Sequence, residues 1–378
     1  MRLDLVSLLD MLVRIDSINP SLVPGGAGEA NIARALAQLL TQQGVKVELD
    51  EAAPGRTSVI ATVKGRGGGR ALMLNAHLDT VGVSGMTAPF TPRIEHGRMY
   101  GRGTYDMKGA LAACILALLS ARGVDLRGDV ILTAVADEEH ASLGMQSVLT
   151  RVTADAAIVA EPTGLQLCTA HKGFTWHEIT THGRAAHGSR ADLGVDAISH
   201  MGRVLVALEQ LNRNLQQRAA HPLLGHASLH ASLIDGGQEL SSYPERCTLR
   251  LERRTLPGES VTQIEAELKD LLADLGAQDP TFQAELKLTL AREPFSTPPT
   301  AEISRHLLEQ AERILGRAPA KVGQGFWMDA ALIAASGIPT IVFGPDGSGA
   351  HATEEWVDLD SLRACTDILT ATIRVFCA

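Results

Sequence analysis

The sequence has little from which to build cross-links. Its cysteines, Cys114, Cys168, Cys247, Cys365 and Cys377, are odd in number and include no C-x-x-C pair. A disulfide framework is therefore not expected, and a reducing cytoplasm is the expected compartment. Long apolar runs are also missing. The longest, Ala110–Leu119, has ten residues, far short of the roughly 20 that a membrane-spanning helix needs. The stretch Met1–Ile15 sets Arg2, Asp4, Asp10 and Arg14 among its leucines, a helix pattern and not a signal-peptide core. Positive charge is in deficit, 34 Lys and Arg against 43 Asp and Glu, for a net −9. That excludes a general nucleic-acid binder, which needs a basic face. Aromatics make up only 3% of the chain, and no internal repeat or low-complexity tract is present. What remains is 378 residues, 45% of them hydrophobic: enough for a substantial core and for two domains. Thirteen histidines stand out in so acidic a chain.

Four short apolar runs read as buried strands: Ala71–Asn75, Val130–Val135, Ala156–Val159 and Thr340–Phe343. Helical patterns cover Leu3–Ile15, Glu29–Gln43, Lys108–Ala121, Glu302–Leu315 and Leu359–Phe376. Uninterrupted apolar strands alternating with amphipathic helices predict a layered α/β domain, its sheet covered on both faces. Residues 173–292 have another texture. Half-exposed strands are expected at Thr175–Thr181, Ala227–Ile234 and Cys247–Glu252, with helices at Val195–Leu211 and Ser260–Leu275. That predicts an α+β insert between a first catalytic part, 1–172, and a second, 293–378. The glycine-rich run Lys64–Arg70 precedes a strand and opens no helix, so it reads as a turn and not a phosphate cradle.

Acidic and imidazole residues collect just after the predicted strands: His77-Leu-Asp79, Asp137-Glu138-Glu139 and Glu161-Pro162. Gly101-Arg-Gly-Thr-Tyr-Asp106 opens a helix, and Ala350-His351 with Glu354 follows the last strand. The carboxyl ends of strands in an open α/β sheet are where ligands bind. Imidazole nitrogen and carboxylate oxygen are the zinc donors when no thiolate serves. One carboxylate can bridge two cations, and a second carboxylate beside a ligand can act as general base. Glu138-Glu139 offers one side chain for each task, and Asp79 could hold the other nitrogen of His77.

These motifs, His77-x-Asp79, Gly103-x-x-Asp106-Met-Lys-Gly109, Asp137-Glu138-Glu139, Glu161-Pro162 and Ala350-His351, resemble the dizinc metallopeptidase and deacylase family. Its members include acetylornithine deacetylase, succinyl-diaminopimelate desuccinylase, aminoacylase-1 and glutamate carboxypeptidase. The resemblance runs from about residue 4 to the C-terminus. It implies a zinc-aminopeptidase-like catalytic domain, a mixed sheet covered by helices, with 173–292 as an inserted lid and dimerisation domain. It implies two zinc ions, with cobalt or manganese as other possible metals. Asp106 would bridge them, His77 and Glu161 would complete one site, and Glu139 and His351 the other. Asp79 would orient His77, Glu138 would be the general acid/base, and the Asp106–Met107 peptide would be cis. In the lid, His187 of Gly183-Arg-Ala-Ala-His187 would reach a neighbouring subunit's site and stabilise the oxyanion, which requires a homodimer. Arg254, in Arg254-Thr-Leu-Pro257-Gly258, would hold a substrate carboxylate, or else form a strand-edge salt bridge.

Two segments depart from the family pattern. Ser241 stands where many relatives carry a substrate-binding Asn, and Phe326-Trp327-Met328 precede a retained Asp329 near the substrate pocket. The expected activity is removal of a small acyl group from an N-acyl amino acid, in the manner of acetylornithine deacetylase. Dipeptidase or carboxypeptidase activity and succinyl-diaminopimelate desuccinylation are alternatives. An N-carbamoyl amidohydrolase is disfavoured, because those relatives place a His where Glu161 stands. A non-catalytic metal-binding relative is disfavoured by the intact Glu138.

Overall fold

The computed structural model describes residues 3–378; Met1 and Arg2, which open the amino-terminal stretch, lie outside the described residues. The chain divides into two compact units. The first takes the residues up to Thr169, then Thr297–Val322 and Met328–Ala378, and the second takes Ala170–Ser296 with Gly323–Trp327. The insert thus begins three residues before the expected start at 173 and ends four after 292, and it recruits a short later segment.

The first unit is built on a sheet whose strands run, in spatial order, Lys46–Ala53, Arg56–Val63, Val130–Val135, Leu72–His77, Ala156–Val159 and Thr340–Val342. The last four lie parallel to one another, while the first two form an antiparallel hairpin on one edge. Every residue of Val130–Val135, Leu72–His77 and Ala156–Val159 is buried, as continuous apolar strands between helix layers must be. Helix Gly109–Ser120 is apolar nearly all round, and nine of its residues are buried. It is covered by helices Leu5–Val13 and Leu359–Phe376, so no polar stripe is needed. Asp4 and Asp358 cap those two covering helices by accepting from the backbone N–H of Ser7 and Ser361, which satisfies donors the first turn leaves open. Each buried leucine of this core, such as Leu8, Leu12, Leu36 or Leu118, contributes about 1.5–3 kcal/mol by leaving water.

The hairpin was not expected from the sequence. Its first strand alternates Lys46, Glu48 and Asp50 with Val47 and Leu49, and no apolar run marks it.

The second unit is a four-stranded antiparallel sheet, in order Ser228–Gly236, Arg246–Thr255, Gly173–His182 and Gln283–Arg292. Helices Ala197–Gln217 and Val261–Gln278 supply Met201, Val204, Leu208, Ile264 and Leu268 to a core shared with Ile179, Leu249 and Leu251. Ser260 and Gln263 form a reciprocal capping box at the start of the second helix, fixing where it begins. Three strands were expected; the fourth, Gln283–Arg292, is an edge whose apolar residues are only half-buried. Among the described residues, no helix is long and apolar enough to cross a membrane.

Candidate active site

The parallel strands deliver their chemistry at their carboxyl ends. His77 is the last residue of its strand, Asp137-Glu138-Glu139 begins two residues after Val135, and Glu161 follows Val159 by two. Phe343 and Gly344 continue the Thr340–Val342 strand into the loop that carries His351. Gly344 is required there: a Cβ would stand 2.3 Å from the Glu161 carbonyl oxygen and 2.6 Å from that of Ala160.

These ends bring together five of the predicted donors. His77 Nε2 lies 3.0 Å from Asp106 Oδ1 and 3.7 Å from Glu161 Oε1. His351 Nε2 lies 3.0 Å from Glu139 Oε2 and 3.4 Å from Asp106 Oδ2. Asp106 therefore faces both imidazoles, one with each carboxylate oxygen. Donor atoms of His77, Asp106 and Glu139 lie within 4.8 Å of one another, and so do those of His77, Glu138 and Glu161. The Asp106–Met107 peptide is cis.

The electrostatics are those of a site short of positive charge. Burial pushes the Glu138 and Glu161 carboxyls well above the usual range; the charge of Glu161 raises Glu138 further, and those of Asp106 and Glu139 raise Glu161. Burial works against a charged His77, yet its bond to Asp106 and the charge of Glu161 raise it well above the ordinary value. His351 is pushed up to about 10 by its bonds to Asp106 and Glu139. Each imidazolium stands in for a cation among carboxylates. Glu139 Oε1 is buried with no hydrogen-bond partner among the described residues, an arrangement that costs free energy unless something positive meets it. Two imidazoles and three or four carboxylates, with no thiolate, suit two divalent cations.

His77 is poised for that task. Its Nδ1 bonds the backbone carbonyl of Asp79 at 2.9 Å, which fixes a proton on Nδ1, so the proton a cation would displace is the one on Nε2, the nitrogen that faces Asp106 and Glu161. The expected partner was the Asp79 carboxylate, which instead stands 3.7 Å away. That carboxylate accepts the backbone N–H groups of Glu138 and Glu139 at 3.1 and 3.2 Å and the Asn19 amide at 2.8 Å. The strand ends at His77, so alternation of faces no longer holds two residues on.

Residues that sequence reasoning missed lie one layer deeper. Arg56 donates to Asp137, to Glu29 and, at 3.1 Å, to the Asn19 side-chain oxygen. The Asn19 amide bridges Asp79 and Asp137. Asp137 itself adopts φ 70°, a left-handed conformation that Asp tolerates better than most residues. Glu354, singled out in the sequence, is exposed, whereas Glu355 is buried.

Of the other predicted residues, Asp329 is buried, and its charge reaches Glu138 and Glu161. The two aromatics that precede Asp329, which could wall a pocket or pack in a core, differ in surroundings. Trp327 donates its indole N–H to the Glu293 carbonyl and lies edge-on to His171, while Phe326 is exposed. His187, Ser241 and Arg254 lie in the second unit. The His187 loop pairs with the Ser241-Ser242 segment, Gly188 N–H donating to the Ser241 carbonyl at 2.6 Å. Arg254 uses its Nε on Glu252 at 2.6 Å, with its guanidinium 5.3 Å above the Phe174 ring.

A parallel-stranded α/β unit with carboxylates and imidazoles massed at its strand ends defines a metal-dependent hydrolase. The chain belongs to Peptidase family M20/M25/M40, whose pattern matches residues 73–375. It is 30% identical over 339 residues to an acetylornithine deacetylase of Myxococcus xanthus, covering 87% of this chain and 86% of that one. In fold it is similar to the aminopeptidase PepT of Bacillus cereus (TM-score 0.81, 22% identity, 98% and 97% of the two chains). It is also similar to a metallo-carboxypeptidase of Sulfolobus solfataricus (TM-score 0.79, 20% identity, 99% of each chain). The family acts on amide bonds with the help of metal.

Proposed function

We propose that the protein is a deacylase that hydrolyses the amide bond of a small N-acyl amino acid, working with two divalent cations, zinc first among them. The observation that carries this reading is Asp106 set between His77 and His351, with Glu139 and Glu161 beside them and Glu138 adjacent. Asp106 would be shared, His77 and Glu161 completing one cation site and Glu139 and His351 the other. Bound cations would polarise the amide carbonyl and acidify a water molecule. Glu138 takes the proton of the attacking water onto a carboxylate oxygen and later gives it to the departing amine nitrogen. Asp79 accepts the Glu138 backbone N–H at 3.1 Å and holds it in place. The 30% identity to an acetylornithine deacetylase supports a deacylase over a peptidase.

From the second unit, His187 is the proposed oxyanion donor. Ser189 N–H donates to its Nδ1 at 3.2 Å, so the neutral ring carries its proton on Nε2, which can donate outward. Arg254 and the exposed Ser241 are the proposed contacts for the substrate's carboxylate and polar groups; the Arg254 bond to Glu252 uses only Nε. Asp329, buried as it is, would act on the substrate pocket through its charge. All five cysteines are buried, and an odd number of them with no C-x-x-C pair supports a cytoplasmic setting. A panel of N-acetylornithine, succinyl-diaminopimelate, N-acyl-methionine, dipeptides and tripeptides tests the substrate class. The highest kcat/KM is expected on an N-acyl amino acid; a clear preference for peptides would replace the deacylase with a peptidase.

A homodimer through the second unit belongs to the same proposal. Strand Ser228–Gly236 is an outer strand of its sheet, and Leu233 and Ile234 on it are 61% and 55% exposed. Val206, on a helix packed against that strand, is 68% exposed. An open edge flanked by apolar side chains invites an equivalent strand from a second copy. Sedimentation velocity should show a dimer, and Ile234→Lys should shift it towards monomer. A wild-type protein that sediments as a monomer at working concentration excludes this interface.

A further inference from the structure

Glu355 is an acid with no part in the chemistry above. It is 1% exposed and accepts four hydrogen bonds. Oε1 takes the backbone N–H of Tyr105 at 2.9 Å and of Asp106 at 3.0 Å; Oε2 takes Gly103 N–H at 2.9 Å and Arg102 Nη1 at 2.7 Å. Its own backbone carbonyl accepts from Gly101 N–H at 3.1 Å. Arg102 is buried as well, and its Nη2 donates to the Ala352 and Gly82 carbonyls, both at 2.9 Å. Just beyond, Trp356 pairs with Tyr100 in an antiparallel ladder. Every one of these bonds ties the segment that presents Asp106 to the segment that presents His351, apart from the one to Gly82.

Resting on the two-cation reading above, we infer that Glu355 and Arg102 form a positioning pair that sets the spacing between Asp106 and His351. The pair thereby tunes the cation site those residues share with Glu139 more strongly than the site of His77 and Glu161. The asymmetry follows from the connections. Two of the three donors on the His351 side are carried by segments that Glu355 and Arg102 join, and only Asp106 on the other side. A carboxylate is well suited to the post, because three backbone N–H groups and a guanidinium point at it and it carries no proton to clash with them. Glutamine has the same shape, but its amide NH2 would face two of those donors. The Asp106 segment would then shift or lose bonds.

The test is zinc binding to chelator-stripped protein, measured by calorimetric titration, in wild type, Glu355→Gln, Arg102→Lys and His351→Ala. Wild type should take two ions. In Glu355→Gln one ion should weaken by about 10–100-fold, the range seen when groups supporting a metal ligand are removed, and the other by clearly less. His351→Ala should lose the same ion, so adding Glu355→Gln to it should weaken the remaining ion only by that smaller factor. Arg102→Lys keeps the charge but loses the fork that spans Glu355 and Ala352. It should act in the same direction, and it carries the test if Glu355→Gln does not fold. Equal weakening of both ions, unchanged affinities, or a larger loss at the His77 side would overturn the inference. A wild type that binds no divalent ion would instead overturn the functional reading, so the two failures are distinguishable.

Discussion

Glu138→Gln should lower kcat by about 10²–10⁴-fold, the usual contribution of a positioned general base, with far less change in KM. Glutamine fills the same volume and keeps a carbonyl oxygen, but it cannot take a proton from water or return one to the amine. The backbone N–H at 138 would still bond Asp79, so the adjacent Glu139 should stay in place. Because Glu138 also lies with His77 and Glu161 inside 4.8 Å, zinc content must be measured alongside rate. A slow variant that still holds two ions identifies an acid/base group; loss of one ion would make Glu138 a ligand. Near-normal turnover would remove its catalytic role altogether.

Arg56→Met should cost the fold about 3–5 kcal/mol, the penalty for leaving buried charge without its partner. Arg56 is the cation set between Glu29 and Asp137, both fully buried. The methionine side chain fills the space but offers nothing to either carboxylate. The loss should depend on pH in a defined direction. Burial, then the charge of Asp79, pushes Glu29 up to about 7, above its unfolded value. The folded state therefore binds this proton more tightly, and the stability it contributes is present at acid pH and lost as pH rises through about 7. In the variant, protonated Glu29 would remove one uncompensated charge. Chemical denaturation should find the deficit smallest near pH 5 and largest above pH 8. A variant as stable as wild type at pH 8 would show that the guanidinium is not the counter-ion of this layer. Activity should fall too, since Arg56 acts through Asn19 and Asp137 on Asp79.

Much of the site is legible in the sequence because buried parallel strands are uninterrupted apolar runs. Where such a run stops at His77, Asp137 or Glu161, the change from apolar to ionisable marks the sheet's carboxyl edge. Val130–Val135, Ala156–Val159 and the helix Leu359–Phe376 lie where their patterns place them. Less is legible where roles depend on contacts distant in sequence. Asn19, Glu29 and Arg56 meet Asp79 or Asp137 across 60 to 118 residues. No local pattern distinguishes them from surface polar residues. Glu354 and Glu355 are adjacent and chemically alike; the register of Trp356–Asp358 on Arg98–Tyr100 accompanies burial of the second and exposure of the first. The edge strand Gln283–Arg292 shows its alternation plainly, but it never becomes the apolar run that draws attention.

Zinc titration of chelator-stripped protein, with amide hydrolysis followed in the same samples, bears most directly on the reading of this site. Activity on the best N-acyl amino acid should be absent without metal and return as bound zinc rises to two per chain. Glu138→Gln should fill to the same stoichiometry and stay nearly silent. Full hydrolysis by the stripped protein, or saturation with no more than one ion at full activity, would contradict it.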